Sequence, residues 1–302
     1  VSHPLGVLPR TLQQALEDAL NTQLVSATLL SGGMVNQAAR VEAQDGPIFV
    51  KWHEDAPSGL FAAEANGLCA LGVTNTIRVP QVLTFRDAAP AALAYLALEY
   101  IEERRPADQA VFTSNFAEAL AALHRSTFSP DGFGLPEDNY LGTLRQINTP
   151  HAHWPTFYRD CRLLPQIEIA QQRKLLPPDR ERLLMQVIDN LETLLSDLEA
   201  KPCLLHGDLW SGNFLTVGNE AAVIDPAVYY GEREIEMAFV ELFGGFPPGF
   251  IETYSAAYPL DAGYVQRRPL HQLYYLLVHL NYFGETYGPN VERSCQLTLQ
   301  IL

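Results

Sequence analysis

The spacing of apolar residues changes period several times along the chain, and each change predicts an element. In "LPRTLQQALEDALN" the apolar positions recur at helical spacing with acids between them, which predicts an amphipathic helix over residues 9–21. "QLVSATLL", "AARVEAQ" and "PIFVKWH" are then short runs rich in β-formers, separated by the turn signals "SGGMVN" and "QDGP". They predict an antiparallel meander. "SGLFAAEANGLCALG" returns to helical spacing, with Phe61, Ala65, Leu68 and Leu71 on one face and Gly72 as the expected C-cap. "RVPQVLTFR" and "AALAYLALEYI" follow as two more strands.

After "EERRPAD" the character changes to long helices, "QAVFTSNFAEALAALHRST" and "DRERLLMQVIDNLETLLSDLEA", with a Pro-rich aromatic stretch between them. Further helices are expected in "EREIEMAFVELFG", in "RRPLHQLYYLLVHLNYFGETY" and at the carboxy end, "SCQLTLQIL". The shift in composition suggests a lobe boundary near residue 102, between residues 1–102 and 103–302. The fold class is α+β.

Composition narrows the partners. The 302 residues are 47% hydrophobic and 18% charged, as in an ordinary folded protein. The formal charge of −15 leaves no electrostatic footprint for nucleic acid or anionic lipid, so any anionic ligand has to be held by a local pocket. No run approaches the length of about 18 apolar residues that spans a bilayer. Cys69, Cys161, Cys203 and Cys295 form no C-x-x-C pair and read as reduced thiols. A cytoplasmic location is the expectation, and the oligomeric state is open.

The chemistry concentrates in "CLLHGDLWSGNFLTVGNEAAVIDPAVYYGERE", where His206, Asp208, Asn213 and Asp225 sit among strand-forming apolar residues. A carboxylate and an amide converging from a loop and a strand end are hard oxygen donors that suit Mg²⁺ better than zinc. A further carboxylate can orient a hydroxyl and accept its proton, which is the division of labour phosphoryl transfer requires. Turn formation by Asp208 and Asn213 and capping by Asp225 would explain the same residues.

The amino-terminal half favours the chemical reading. Lys51 lies inside an apolar strand, where an unpaired ammonium is costly, and Glu64 lies on the following helix within reach of it. A Lys–Glu pair on the third strand and the next helix is a kinase arrangement, with the lysine also holding nucleotide phosphates. "SGGMVN" is a glycine-bearing turn that can bring backbone N–H groups to phosphate, although it lacks the full G-x-G-x-x-G pattern. The end of "LALEYIE" can offer main-chain groups of Glu99 and Ile101 to an adenine edge.

"LLHGDLWSGN", "IDPAVYYGEREIEMAF", "LFGGFPPGFIETY" and "HLNYFGETY" resemble the fructosamine kinase (ketosamine-3-kinase) family of protein-kinase-like small-molecule kinases, and the similarity runs through most of the chain. The resemblance implies a two-lobed protein-kinase-like fold with a small antiparallel β-rich lobe and a larger helical one. It implies nucleotide binding in the first lobe, 1–102, and catalysis with substrate binding in the second, 103–302. It implies transfer of the γ-phosphate of ATP, with Mg²⁺, to the 3-hydroxyl of a ketosamine, free or on a protein lysine, as deglycation repair. Position by position, Asp208 would be the base, Asn213 and Asp225 the Mg²⁺ ligands, and Lys51 with Glu64 the phosphate-orienting pair. Gly32 and Gly33 would cover the phosphates, and Glu99, Tyr100 and Ile101 would form the hinge. Trp210 has two readings, a face for the sugar adduct or a core residue, and His206 has two, a brace for the loop or a proton carrier. Met34 stands where some members of the family carry a cysteine, so no disulfide switch is expected there. An aminoglycoside- or choline-kinase-like phosphotransferase and an inactive kinase-fold binding protein are the competing readings.

Overall fold

The computed structural model describes residues 4–30, 36–89 and 92–302. In chain order the elements begin with α1 (Arg10–Leu20), β1 (Leu24–Leu30), β2 (Gln37–Ala43), β3 (Gly46–His53), α2 (Leu60–Gly72), β4 (Val82–Arg86), β5 (Ala94–Glu99) and α3 (Gln109–Ser126). They continue with β6 (Asn139–Leu141), β7 (Leu144–Gln146), α4 (Trp154–Phe157), a π-helical turn (Tyr158–Leu163), α5 (Leu164–Gln172), α6 (Pro178–Asp189), α7 (Leu191–Leu194) and β8 (Cys203–Leu205). The last are β9 (Phe214–Val217), β10 (Glu220–Val223), β11 (Tyr229–Gly231), α8 (Arg233–Phe243), α9 (Phe250–Ala257), α10 (Tyr264–Phe283), a 3₁₀ turn (Gly284–Tyr287) and α11 (Gly288–Leu299).

The chain packs as two compact units. The first comprises residues 1–115, 139–145 and 213–227, and the second comprises 116–138, 146–212 and 228–302. Packing therefore divides the chain inside α3 and not at residue 102, where composition changes. The two later segments join the first unit through contacts distant in sequence. The β9–β10 hairpin is tied to it by backbone bonds from Val223 N–H to the Arg78 carbonyl, from Arg104 N–H to the Thr216 carbonyl and from Gly218 N–H to the Arg104 carbonyl. Tyr140 packs on the cluster beside α2 and donates its hydroxyl to the Ser58 carbonyl.

The first unit is built on a five-stranded antiparallel sheet in the order β1-β2-β3-β5-β4, the sheet and helix mixture that the pattern predicts. Side chains alternate across a strand, so β3 divides its residues between two faces. Val50 and Trp52 join Ala39, Val41, Tyr95 and Ala97 against Leu12 and Leu16 of α1. On the other face Leu96 and Leu98 meet Phe61, Ala65 and Leu68 of α2, with Phe49 packed against them. Lys51 shares that second face, which puts its stem toward α2. Gly72, expected as a C-cap, is the last helical residue of α2; a Cβ there would stand 3.2 Å from Val79 Cγ2, so close packing explains the glycine.

The second unit is mainly helical. The helix expected from residue 179 onward is interrupted: α6 ends at Asp189, and Asn190 turns its side-chain amide back to the Gln186 carbonyl. Asparagine competes with the backbone for hydrogen bonds in this way and weakens a helix interior. α10 starts three residues before the expected helix and gives way to the 3₁₀ turn at Gly284.

Arg267 of α10 is buried with its guanidinium forked onto Glu234 of α8, at 2.9 and 2.7 Å, and onto Asp197 at 2.8 Å. His271, one turn on, is fully buried, and its Nε2 accepts from Trp154 Nε1 at 3.4 Å. Burial, helped by the charge of Arg267, lowers the His271 pKa from 6.5 to about 3. Between those values the folded protein holds fewer protons at this site than the unfolded chain does. His271 therefore contributes stability that is full above pH 6.5 and is lost as pH falls toward 3. Denaturant titrations across that window are expected to show an acid-side loss of stability that is shallower in His271→Leu.

Candidate active site

In the first unit the sequence places Lys51 at the centre of β3, opposite Ala38 on β2 and Leu96 on β5. Its ammonium lies 2.5 Å from Glu64 Oε2 and 2.7 Å from Asp225 Oδ1. Glu64 sits on the α2 stripe between Phe61 and Leu68, which explains why a helix packed on this face presents it to the lysine. The Lys51 side chain is 5% exposed, that of Glu64 12%, and that of Asp225 46%. Burial alone would lower the lysine pKa, but the two carboxylates outweigh it and hold the ammonium firmly protonated. For Glu64 burial dominates and Asp225 adds to it, so the carboxyl is raised to about 7 despite the lysine.

Asp225 reaches this position through hairpin geometry. Phe214 faces Val223 at the open end of the β9–β10 ladder, and Ile224 N–H then donates to the Asn213 carbonyl at 3.0 Å. Asn213 and Asp225 thus flank the same end of one hairpin, and Asp225 takes a left-handed φ of 54°, a conformation Asp tolerates better than most residues. A carboxylate and a carboxamide at one hairpin end are a donor set that fits Mg²⁺. Among the described residues no group of three or more His, Cys, Asp or Glu offers a different metal centre.

At the end of β5 the Glu99 carboxylate is committed to structure. It accepts from Arg78 Nη2 at 2.9 Å and from Gln81 N–H at 3.2 Å, and the Glu99 N–H in turn donates to the Gln81 carbonyl at 2.8 Å. Ile101 is buried with Val217 and Ala222, and the Tyr100 ring lies under the Arg40 guanidinium at 4.6 Å. Gly32, Gly33 and Met34 lie outside the described residues.

In the second unit β8 pairs with β11 and delivers the chain to His206, which is buried, and Gly207, whose φ of 82° requires glycine. Gly207 is held from both sides: its N–H donates to Glu236 Oε1 at 2.7 Å, and its carbonyl accepts from the Tyr275 hydroxyl at 2.9 Å. His206 Nδ1 accepts from Asp208 N–H at 3.3 Å, a bracing contact. Trp210 is 41% exposed, so it is not a core residue. Gly212 leaves room for the indole, since a Cβ there would stand 2.3 Å from the ring.

Glu236 is the residue that sequence reasoning missed. It is fully buried on α8, and its Oε2 lies 2.9 Å from Nε2 of His124, whose Nδ1 lies 2.8 Å from the Tyr254 hydroxyl. Burial pushes its pKa up, but the His124 bond, the charges of His124 and His206 and the Gly207 N–H together bring it below the usual value. An acid set among Ile235, Met237 and Ala238 was the available signal, because a buried carboxylate demands partners. The distant partners themselves carried no sequence mark.

The fold is that of kinase-like phosphotransferases: an aminoglycoside phosphotransferase superposes with a TM-score of 0.67 at 18% identity, covering 96% of this chain and 98% of the other. The fructosamine kinase family model matches residues 8–301, and the chain belongs to that family. It is 38% identical over 284 residues to an Enterococcus faecium protein named a probable ketoamine kinase, covering 93% of this chain and 98% of that one. It is 34% identical over 280 residues to the chloroplastic protein-ribulosamine 3-kinase of Arabidopsis thaliana, covering 90% of this chain and 82% of that one. A Thermobifida fusca crystal structure assigned as a fructosamine-3-kinase matches with a TM-score of 0.85 at 36% identity, covering 95% of this chain and 98% of the other.

Lys51→Met leaves Glu64 and Asp225 without their cation and is expected to cost about 2–3 kcal/mol in denaturant titration. The cost stays below the full penalty for breaking a buried pair because Asp225 is half-exposed and Glu64 readily takes up a proton. Glu236→Gln weakens the hold on Gly207, and kcat is expected to fall by about tenfold or more with nucleotide affinity retained. Steady-state kinetics with a separate nucleotide-binding measurement check this.

Proposed function

We propose that this chain is an ATP- and Mg²⁺-dependent ketosamine 3-kinase that phosphorylates fructosamine or ribulosamine adducts. The observation that supports the reading most directly is the buried Lys51 ammonium shared by Glu64 and Asp225, with Asn213 at the same hairpin end. Kinase chemistry needs this set, and the named relatives supply the acceptor class.

In this reading Lys51 orients the α- and β-phosphates of ATP, and Glu64 keeps the ammonium extended from β3. Asn213 and Asp225 hold Mg²⁺. Held there, the ion would supply positive charge to offset the negative charge of the phosphate oxygens. Asp208 accepts the hydrogen bond of the acceptor's 3-hydroxyl and takes its proton as the oxygen attacks phosphorus. Gly207, clamped at its N–H and its carbonyl, keeps the Asp208 backbone from shifting during that step. The exposed Trp210 face packs on the sugar adduct. Main-chain groups in the stretch Glu99, Tyr100 and Ile101 meet the adenine.

A cytoplasmic setting belongs to the same reading. No helix among the described residues is long and apolar enough to cross a membrane.

A panel of fructosamine, ribulosamine and aminoglycoside acceptors with Mg-ATP, with the product position read by NMR, tests the proposal. Phosphate at the ketosamine 3-oxygen is expected, and turnover with aminoglycosides alone would overturn the acceptor assignment. Asp208→Asn is expected to abolish transfer while sparing ATP binding; near-parental turnover would remove Asp208 from the role of base.

A further inference from the structure

The chain contains three lysines, Lys51, Lys174 and Lys201, against seventeen arginines, so its side chains offer few amines to reducing sugars. Lys51 is buried between two carboxylates. Lys201 is exposed and pairs with Glu199 at 3.5 Å. Lys174 is exposed and has no ion pair among the described residues.

Its surroundings are built. Lys174 follows the end of α5 with a left-handed φ of 58°, at the position where glycine ordinarily closes a helix. Leu175 N–H returns to the Ala170 carbonyl, and Lys174 N–H bonds the Gln171 carbonyl. A side chain in that conformation costs about 1 kcal/mol relative to glycine, so backbone economy does not account for the lysine. Lys174 lines an open depression of about 600 Å³ with Gln171, Leu176, Pro177, Glu181 and Glu285. Buried Arg180 braces one side through the Leu175 carbonyl and both oxygens of Glu285. Glu285 is thereby occupied. Glu181 accepts from Gln171 Nε2 through Oε1 at 2.7 Å, and its Oε2 has no partner among the described residues.

An exposed amine that lines the same depression as a carboxylate with an uncommitted oxygen is an arrangement that can carry an aldose adduct to a ketoamine. The amine adds to C1 of the open-chain aldose, and loss of water leaves a C1=N Schiff base. A base then removes the C2 proton, the electron pair shifts to give the enaminol, and C1 regains a proton as the C2 hydroxyl becomes a ketone. The rearrangement is internal and needs no oxidant or reductant. General-base assistance acts on the second stage alone.

We propose that Lys174 is the residue at which reducing sugars glycate this protein, with Glu181 as the base of the rearrangement, so that the protein becomes a ketosamine of the class it acts on. The last clause rests on the kinase reading; the glycation site does not.

The full chain is incubated with D-ribose without nucleotide, and peptides are mapped by mass spectrometry with and without borohydride trapping of the Schiff base. Ketoamine is expected at Lys174 in at least about fivefold excess over Lys201, and Glu181→Gln should lower ketoamine at Lys174 by about tenfold or more with the trapped Schiff base unchanged. Lys174→Arg removes the signal. Equal loading of Lys201 overturns the site, and a Glu181→Gln variant that leaves ketoamine unchanged, or lowers it only in step with the Schiff base, overturns the base. Unmodified protein and Mg-ATP are then added, with a small free ketosamine alongside. Phosphate on both acceptors supports the self-substrate; phosphate on the small acceptor alone overturns it. Phosphate on neither overturns the kinase reading and leaves the glycation result standing.

Discussion

One buried ammonium organises the first unit. Lys51 lies on the face of β3 that packs on α2, where an uncompensated charge would cost several kcal/mol. Glu64 supplies one partner from the helix across that face, and Asp225 supplies another from the β9–β10 hairpin. Burial and the neighbouring Asp225 together raise the Glu64 pKa despite the lysine. The hairpin backbone bonds to Arg78 and Arg104 hold Asp225 against the lysine.

The second unit solves a complementary problem, keeping a polar turn rigid. Gly207 adopts a left-handed conformation, and its amide and carbonyl are taken by Glu236 and Tyr275. Glu236 remains a carboxylate in a fully buried position because His124 and the Gly207 N–H offset its burial. The Tyr275 ring stacks on Phe239 with centroids 3.6 Å apart and planes within 5°, so the hydroxyl is aimed by packing. Asp208 inherits its placement from these contacts, which involve side chains from α3, α8 and α10.

Much of this was legible in the primary structure where the determinants are local. Alternation along "PIFVKWH" put Lys51 on the face away from Val50 and Trp52, and the apolar stripe of α2 put Glu64 toward the sheet. The motif "HGDLWSGN" marked the loop. Less was legible where a residue's role depends on a partner far along the chain. The change in composition at residue 102 could not disclose that 139–145 and 213–227 pack with the first unit, because backbone bonds from Val223 to Arg78 leave no trace in hydropathy. The interruption at Asn190 turns on one side-chain hydrogen bond competing with a helix the periodicity favours.

By itself the sequence determined the order and period of the elements, the family, and the residue types a phosphoryl-transfer site requires, because these follow from local spacing and from a motif. Tertiary structure alone decided that Asp225, 174 residues away, shares the Lys51 ammonium with Glu64. It decided that Glu236 and His124 hold the turn before Asp208, and that Trp210 is exposed. The reason is electrostatic: a buried charge obliges some partner to be present, but only the packing of distant segments determines which group comes within hydrogen-bonding distance.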